Sequence, residues 1–128
     1  MQGTQPRRIV IVDDNVDGAN ALRFLLEQEG HEVEIASNGQ AGIAVVRRWR
    51  SDVMLVDIGL PGLSGYDVAT ALRRDPKLAP VLIIAVTGGW QDDPQRAAAA
   101  RFDHYVRKPV DFAALRRLIG STPRKASA

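Results

Sequence analysis

Asp13 and Asp14, Asp57, Thr87 and Lys108 are the residues whose types and placement suggest one shared chemistry, because each stands where an apolar run ends. Taken singly, each has a plain structural explanation: a helix cap for Asp13 or Asp14, a strand end for Thr87, a surface cation for Lys108. Those explanations do not account for the joint placement. Carboxylates gathered within a few ångströms repel, so such a site must raise at least one pKa or take a counter-cation. Mg²⁺ fits: it takes oxygen ligands at roughly 2.1 Å and is commonly held by one or two carboxylates together with a phosphate oxygen. Asp14 and Asp57 could ligate it directly, Asp13 through water, and a backbone carbonyl just after Asp57, assigned to Gly59, could add another ligand. Lys108 offers the fixed positive charge that a transferred phosphoryl group needs, and the Thr87 hydroxyl can donate to a phosphoryl oxygen. Phosphoryl transfer asks mainly for positioning and charge neutralisation, and a carboxylate can be the nucleophile, giving an aspartyl phosphate.

The elements that must position these residues are legible as apolar runs. Ile9-Val10-Ile11-Val12, Val53-Met54-Leu55-Val56 and Val81-Leu82-Ile83-Ile84-Ala85-Val86 are continuous and rich in β-branched residues, as strands buried on both faces should be. Val33-Glu34-Ile35 and Tyr105-Val106-Arg107 are shorter strand candidates. Between them lie helical patterns over about Asn15–Glu29, capped by Asp14 or Asn15 and ended by Gly30, and over Ala41–Trp49 after an Asn38-Gly39 turn. Further patterns cover about Tyr66–Arg74, closed by Asp75-Pro76, a short helix capped by Asp93 with Pro94 first, and about Asp111–Ile119. Alternation of strands and helices indicates a parallel sheet with helices on both faces. In such a sheet ligands bind outside the carboxyl ends of the strands, where the candidate residues stand.

Bulk properties narrow the class. The 128 residues suit one domain, and 45% apolar with 25% charged residues is the balance of a soluble globular protein. No apolar run approaches the roughly 20 residues of a membrane span, and residues 1–8 lack a signal-peptide core, so a cytoplasmic location without membrane contact is expected. Absence of cysteine removes thiolate nucleophiles and cysteine-based zinc sites. A net charge of +2 is too small to imply direct nucleic-acid binding, and the basic clusters Arg47-Arg48-Trp49-Arg50, Arg73-Arg74, Arg116-Arg117 and Arg124-Lys125 are expected to be solvated helix faces. Trp49 is expected to be partly core, Trp90 to lie in the loop after Thr87, and His31 and His104 to stand apart from the carboxylates.

Four motifs together are highly specific: Ile-Val-Asp13-Asp14-Asn15, Leu-Val-Asp57-Ile-Gly59-Leu-Pro61-Gly62-Leu-Ser-Gly65-Tyr, Ala-Val-Thr87-Gly88 and Tyr105-Val-Arg-Lys108-Pro109. From about Arg8 to Ile119 the chain resembles the receiver domain of response regulators in two-component signalling, and the Asp57-to-Gly62 wording is similar to receivers of hybrid histidine kinases. The resemblance implies a doubly wound five-stranded parallel sheet in the flavodoxin-like order 2-1-3-4-5. It implies Asp57 as phosphoacceptor, Asp13 and Asp14 as the acidic pair at Mg²⁺, Lys108 as the phosphoryl contact, Thr87 as the switch hydroxyl and Tyr105 as the switch aromatic. The expected partners are a histidine kinase or histidine phosphotransfer protein, an unknown downstream protein, and a second copy through the face made by the fourth helix, fifth strand and fifth helix. The chain then divides into a flexible 1–7, a receiver domain over 8–120 and a flexible tail over 121–128, either a stand-alone regulator or an excised module without a DNA-binding output domain.

Two departures from the family pattern stand out. The segment between Thr87 and Lys108 is slightly short, and Arg101 replaces the glycine that usually ends the fourth helix. A left-handed conformation costs a non-glycine residue roughly 1 kcal/mol, so a remodelled helix end is expected. Other functions compete with a phosphorylation switch that is not an enzyme in the ordinary sense. A phosphorylation-independent pseudo-receiver has no need for clustered, mutually repelling acids. A nucleotide-binding enzyme lacks its Gly-x-Gly-x-x-Gly here, and an aspartate-based phosphatase lacks its Asp-x-Asp. Fold alone does not separate these readings; the site does.

Overall fold

The computed structural model describes residues 5–88 and 94–120. Five strands, β1 (Arg8–Val12), β2 (Glu32–Ala36), β3 (Val53–Asp57), β4 (Leu82–Thr87) and β5 (His104–Arg107), alternate with five helices, α1 (Val16–Gln28), α2 (Gly39–Trp49), α3 (Gly65–Arg74), α4 (Pro94–Ala100) and α5 (Phe112–Gly120). All strand pairs are parallel, in the order β2-β1-β3-β4-β5 that the resemblance implied.

The strands sort their side chains by parity, as the pleat demands. Val10, Val12, Met54, Val56, Ile83 and Ala85 face a core closed by α2, α3 and α4 through residues such as Val46, Leu72 and Ala100. Ile9, Ile11, Leu55, Ile84, Val86 and Val106 face the opposite core, closed by α1 and α5 through Ala19, Leu26, Leu115 and Ile119. Burying each Val, Leu, Ile or Met among these stabilises the fold by about 1.5–3 kcal/mol, which explains why the β-branched runs lead to a sheet covered on both faces.

Helix ends differ in detail from the sequence pattern. Asn15, rather than Asp14, caps α1 by accepting from the Gly18 N–H, and Gly30 follows that helix at φ +94°. Asn38 is a cap rather than half of a turn: its side chain accepts from the Ala41 N–H, so α2 starts two residues earlier than its apolar periodicity indicates. Ser64 and Asp67 form a reciprocal capping box at α3. The strands β2 and β5 extend beyond their predicted bounds, and β4 begins at Leu82 rather than Val81.

Arg101 overturns the expected remodelling, for it takes the left-handed conformation itself at φ 51°. Its carbonyl is held by Arg73, whose Nε and Nη2 donate at 3.1 and 2.8 Å. Arg73 is likewise no solvated cation. Its side chain is 9% exposed, pairs with Asp103 at 2.7 Å and donates to the Ala79 and Val81 carbonyls. Arg7, counted from sequence with a flexible N-terminus, is 5% exposed; its N–H donates to His31 Nδ1 at 3.0 Å and its carbonyl accepts from Glu32. Asp93, Trp90 and residues 121–128 lie outside the described residues.

Candidate functional site

The register brings the polar strand ends together. Val12 of β1 lies beside Val56 of β3, so Asp13 and Asp57 leave adjacent strands at the same level. Asp57 pairs with Val86, which places Thr87 one residue farther along β4, and Thr87 in turn pairs with Arg107, the residue before Lys108. The Lys108 N–H donates to the Thr87 carbonyl at 2.9 Å, extending the ladder to the site. Carboxylate oxygens of Asp13, Asp14 and Asp57 consequently lie within 4.8 Å of one another.

Local turns aim these carboxylates. The Asn15 N–H donates to Asp13 Oδ1 at 2.9 Å and the Gly59 N–H to Asp57 Oδ1, also at 2.9 Å, each an aspartate bonding the backbone two residues on. Asp57 Oδ2 accepts from Lys108 Nζ at 2.9 Å, and the same ammonium lies 3.6 Å from Asp13 Oδ2. Asp14 is exposed, whereas the Asp13 and Asp57 side chains are largely covered. Gly65 lets α3 start directly against this loop, since a Cβ there would sit 2.7 Å from the Asp57 carbonyl oxygen.

Electrostatics at the site follow from this crowding. Burial raises the Asp13 pKa, aided by the negative charges of Asp57 and Asp14 and opposed by the Asn15 N–H and Lys108. A raised carboxylate was expected, but repulsion was the expected cause and burial is the larger one. Burial alone would lower the Lys108 pKa; its hydrogen bond to Asp57 and the charges of Asp57 and Asp13 outweigh that and raise it. Among the described residues, one ammonium against three carboxylates leaves the pocket short of positive charge. An all-oxygen, carboxylate-rich donor set of this kind fits a hard cation such as Mg²⁺ and suits softer metals poorly.

The other sequence candidates fall elsewhere. His31 precedes β2 and His104 opens β5, both at the amino edge of the sheet, away from the carboxylates. Tyr105 lies beside Ala85, two residues before Thr87, so strand alternation puts Tyr105, Ala85 and Thr87 on the α3–α4 face. Tyr105 is 50% exposed, while Thr87 is buried.

The comparisons with known proteins agree with this geometry. A family model described as the response regulator receiver domain matches residues 9–120. The chain belongs to the receiver-domain family. This receiver domain is 36% identical over 117 residues to Protein PilH of Pseudomonas aeruginosa, covering 89% of the chain and 95% of PilH. It is 32% identical over 120 residues to the two-component response regulator PhoP of the same organism, covering 94% of the chain and 53% of PhoP, about half that protein's length. Among solved structures it resembles the receiver domain of the sensor histidine kinase PA1611 from Pseudomonas aeruginosa PAO1. That match has a TM-score of 0.83 and 28% identity over 92% of this chain and 98% of the other, which carries a magnesium ion in its active-site cleft.

Two features of the receiver domain escaped the sequence reading. Arg96 of α4 donates to Ser64 Oγ at 2.8 Å and to Asp67 Oδ1 at 3.2 Å, and its guanidinium lies 4.9 Å from the Tyr66 ring centroid. The ring of Phe102 stands between those of Tyr66 and Tyr105. Only the Ser64-x-x-Asp67 spacing could have signalled the first, and periodicity offers no sign of the second.

Proposed function

We propose that this receiver domain accepts a phosphoryl group on Asp57 from a phosphohistidine of a histidine kinase or phosphotransfer protein, in the cytoplasm, and thereby changes its affinity for a downstream partner. The observation that supports this most is the pairing of Asp57 Oδ2 with Lys108 inside a cluster of three carboxylates at the carboxyl edge. Asp57 supplies the attacking oxygen: its bond to phosphorus forms as the phosphorus–nitrogen bond of the donor breaks, and the electron pair returns to the imidazole, which takes up a proton. The Gly59 N–H fixes the carboxylate through Oδ1, leaving Oδ2 facing Lys108. Lys108 then exchanges its contact with the free carboxylate for one with a phosphoryl oxygen, and the Thr87 hydroxyl donates to another.

Asp13, Asp14, Asp57 and the Gly59 carbonyl would hold Mg²⁺, which supplies positive charge against the phosphoryl oxygens. Movement of Thr87 toward the phosphoryl group makes room for the Tyr105 ring on the shared sheet face and carries the signal to the α4–β5–α5 surface. That surface is where a protein partner or a second copy is read as docking. Of the arginines on these elements, Arg96 is engaged with Asp67, Arg116 pairs with Glu29 at 3.7 Å, and Arg101 donates to the Arg73 carbonyl.

Intact-mass measurement after incubation with acetyl phosphate tests the reading. Wild type should gain one phosphoryl group with Mg²⁺ and none without it, and Asp57→Ala should gain none. An unchanged wild-type mass would instead favour a phosphorylation-independent binding module.

A further inference from the structure

The residue that meets Tyr105 is Phe102, and its backbone is pinned on both sides. Arg101 before it has its carbonyl held by Arg73. Asp103 after it donates its N–H to the Ile83 carbonyl at 2.8 Å, while its carboxylate accepts from the Ile83 N–H and from Arg73 Nη2, both at 2.7 Å. The Phe102 ring is also anchored inward. It packs against Tyr66 at 5.8 Å between centroids, and Tyr66 is 4% exposed beneath the Arg96 guanidinium. On its other side Phe102 meets the Tyr105 ring edge-on, at 5.4 Å and 79°. In this row of three rings, Tyr66 is buried, Phe102 is partly covered and Tyr105, 50% exposed, is outermost.

The direction of that movement matters. Phe102 precedes β5 at the amino edge of the sheet, whereas Thr87 ends β4 at the carboxyl edge. Tyr105 stands between them beside Ala85, a small side chain on the same sheet face. A ring that turns toward Thr87 therefore leaves Phe102.

We propose that Phe102 is a positioning residue that sets the resting orientation of Tyr105, holding the ring outward until the site is loaded. The inference rests on the reading of Tyr105 as the moving aromatic. Phe102 and the loaded site compete for one ring, so Phe102 fixes how far the unloaded domain already populates the inward state. An edge-on aromatic pair is strong enough to change such a two-state ratio by about two- to twelvefold.

The test is the distribution of Tyr105 χ1 rotamers, measured by NMR in wild type, Phe102→Leu, Phe102→Met and Phe102→Tyr, without and with beryllium fluoride and Mg²⁺. Without beryllium fluoride, both aliphatic variants should raise the inward-to-outward ratio about two- to twelvefold. Phe102→Tyr should restore the wild-type ratio, and acetyl phosphate should still load Asp57 in all four proteins. Wild-type ratios in the unloaded Leu and Met variants would overturn the proposal, as would an equal shift in Phe102→Tyr, which would implicate lost packing rather than the ring contact. A wild-type Tyr105 that ignores beryllium fluoride would defeat the switch reading separately, since the role of Phe102 is read from the unloaded proteins.

Discussion

The two edges of the sheet treat charge in opposite ways. At the amino edge, Arg73 is nearly enclosed, with Asp103 and the Ala79, Val81 and Arg101 carbonyls as acceptors, and Asp52 accepts from the Arg8 N–H at 2.9 Å. These charged groups are matched to partners within the chain, which closes that edge. At the carboxyl edge Lys108 pairs with Asp57 and Asp13 while Asp14 adds a third carboxylate to the cluster, so among the described residues charge is left unmatched in the place where strand ends converge. The same backbone architecture thus builds a clasp at one end and a receptive site at the other. The difference lies in whether the charges are completed from within.

Breaking the closed edge should have the largest effect on stability. Arg73→Met leaves Asp103 and several carbonyls without their cation, and losing one partner of a buried pair costs about 3–5 kcal/mol; partial exposure of Asp103 places the expected loss near the lower figure. Urea unfolding measures it, and a loss below about 0.5 kcal/mol, the range of an ordinary surface substitution, would mean that the clasp is ornamental.

Asp14→Asn probes the open edge and should show the reverse profile. Asp14 is exposed, so stability should shift by no more than about 0.5 kcal/mol. Loading from acetyl phosphate at limiting Mg²⁺ should nevertheless fall by on the order of tenfold or more, since even loss of a ligand's outer hydrogen-bond partner costs about 10–100-fold in metal affinity. Undiminished loading would remove Asp14 from the site.

The edges should also answer pH with opposite signs. The His31 pKa is lowered by burial and by Arg7, against Glu29, and His31 Nδ1 must stay unprotonated to accept the Arg7 N–H. Its stabilisation is therefore complete above the unfolded value of 6.5 and is lost as pH falls below that toward the folded value. The raised Asp13 pKa acts the other way: without Mg²⁺, its unfavourable contribution is relieved as pH falls through its folded value and is gone below the ordinary value of 3.8. Chemical denaturation between pH 8 and 5.5 should show a loss of stability that His31→Gln diminishes; an identical slope in both proteins would sink the assignment.

A smaller effect is expected at Gly59. A Cβ there would lie 3.6 Å from Asp57 Oδ1, ordinary van der Waals contact, so larger side chains fit beside Asp57. Gly59→Asn and Gly59→Leu should alter phosphoryl lifetime a few-fold, followed by mass spectrometry over time. Unaltered decay in both would show that this position does not control access of water.

The two edges were not equally legible in the sequence. The carboxyl edge was, because a parallel sheet delivers every strand's carboxyl end to one side, and Asp13, Asp57 and Thr87 each follow a continuous apolar run, with Lys108 after a weaker one. The amino edge was not: Arg73 joins residues from three separate segments, and its i, i+1 neighbour Arg74 makes the pair look like any solvated helix end. Arg101 misled for a related reason, since the cost of a left-handed residue is local, whereas the Arg73 hydrogen bonds that offset it come from α3. Phe102 was invisible because its significance lies in a ring contact across a turn, which no periodicity reports.

The most direct test of the account is to locate the phosphoryl group. After loading with acetyl phosphate, borohydride reduction converts an aspartyl phosphate to homoserine, and peptide mapping reads the position. The account predicts homoserine at position 57, dependent on Mg²⁺. Homoserine at another aspartate, or at position 57 equally without Mg²⁺, would contradict it.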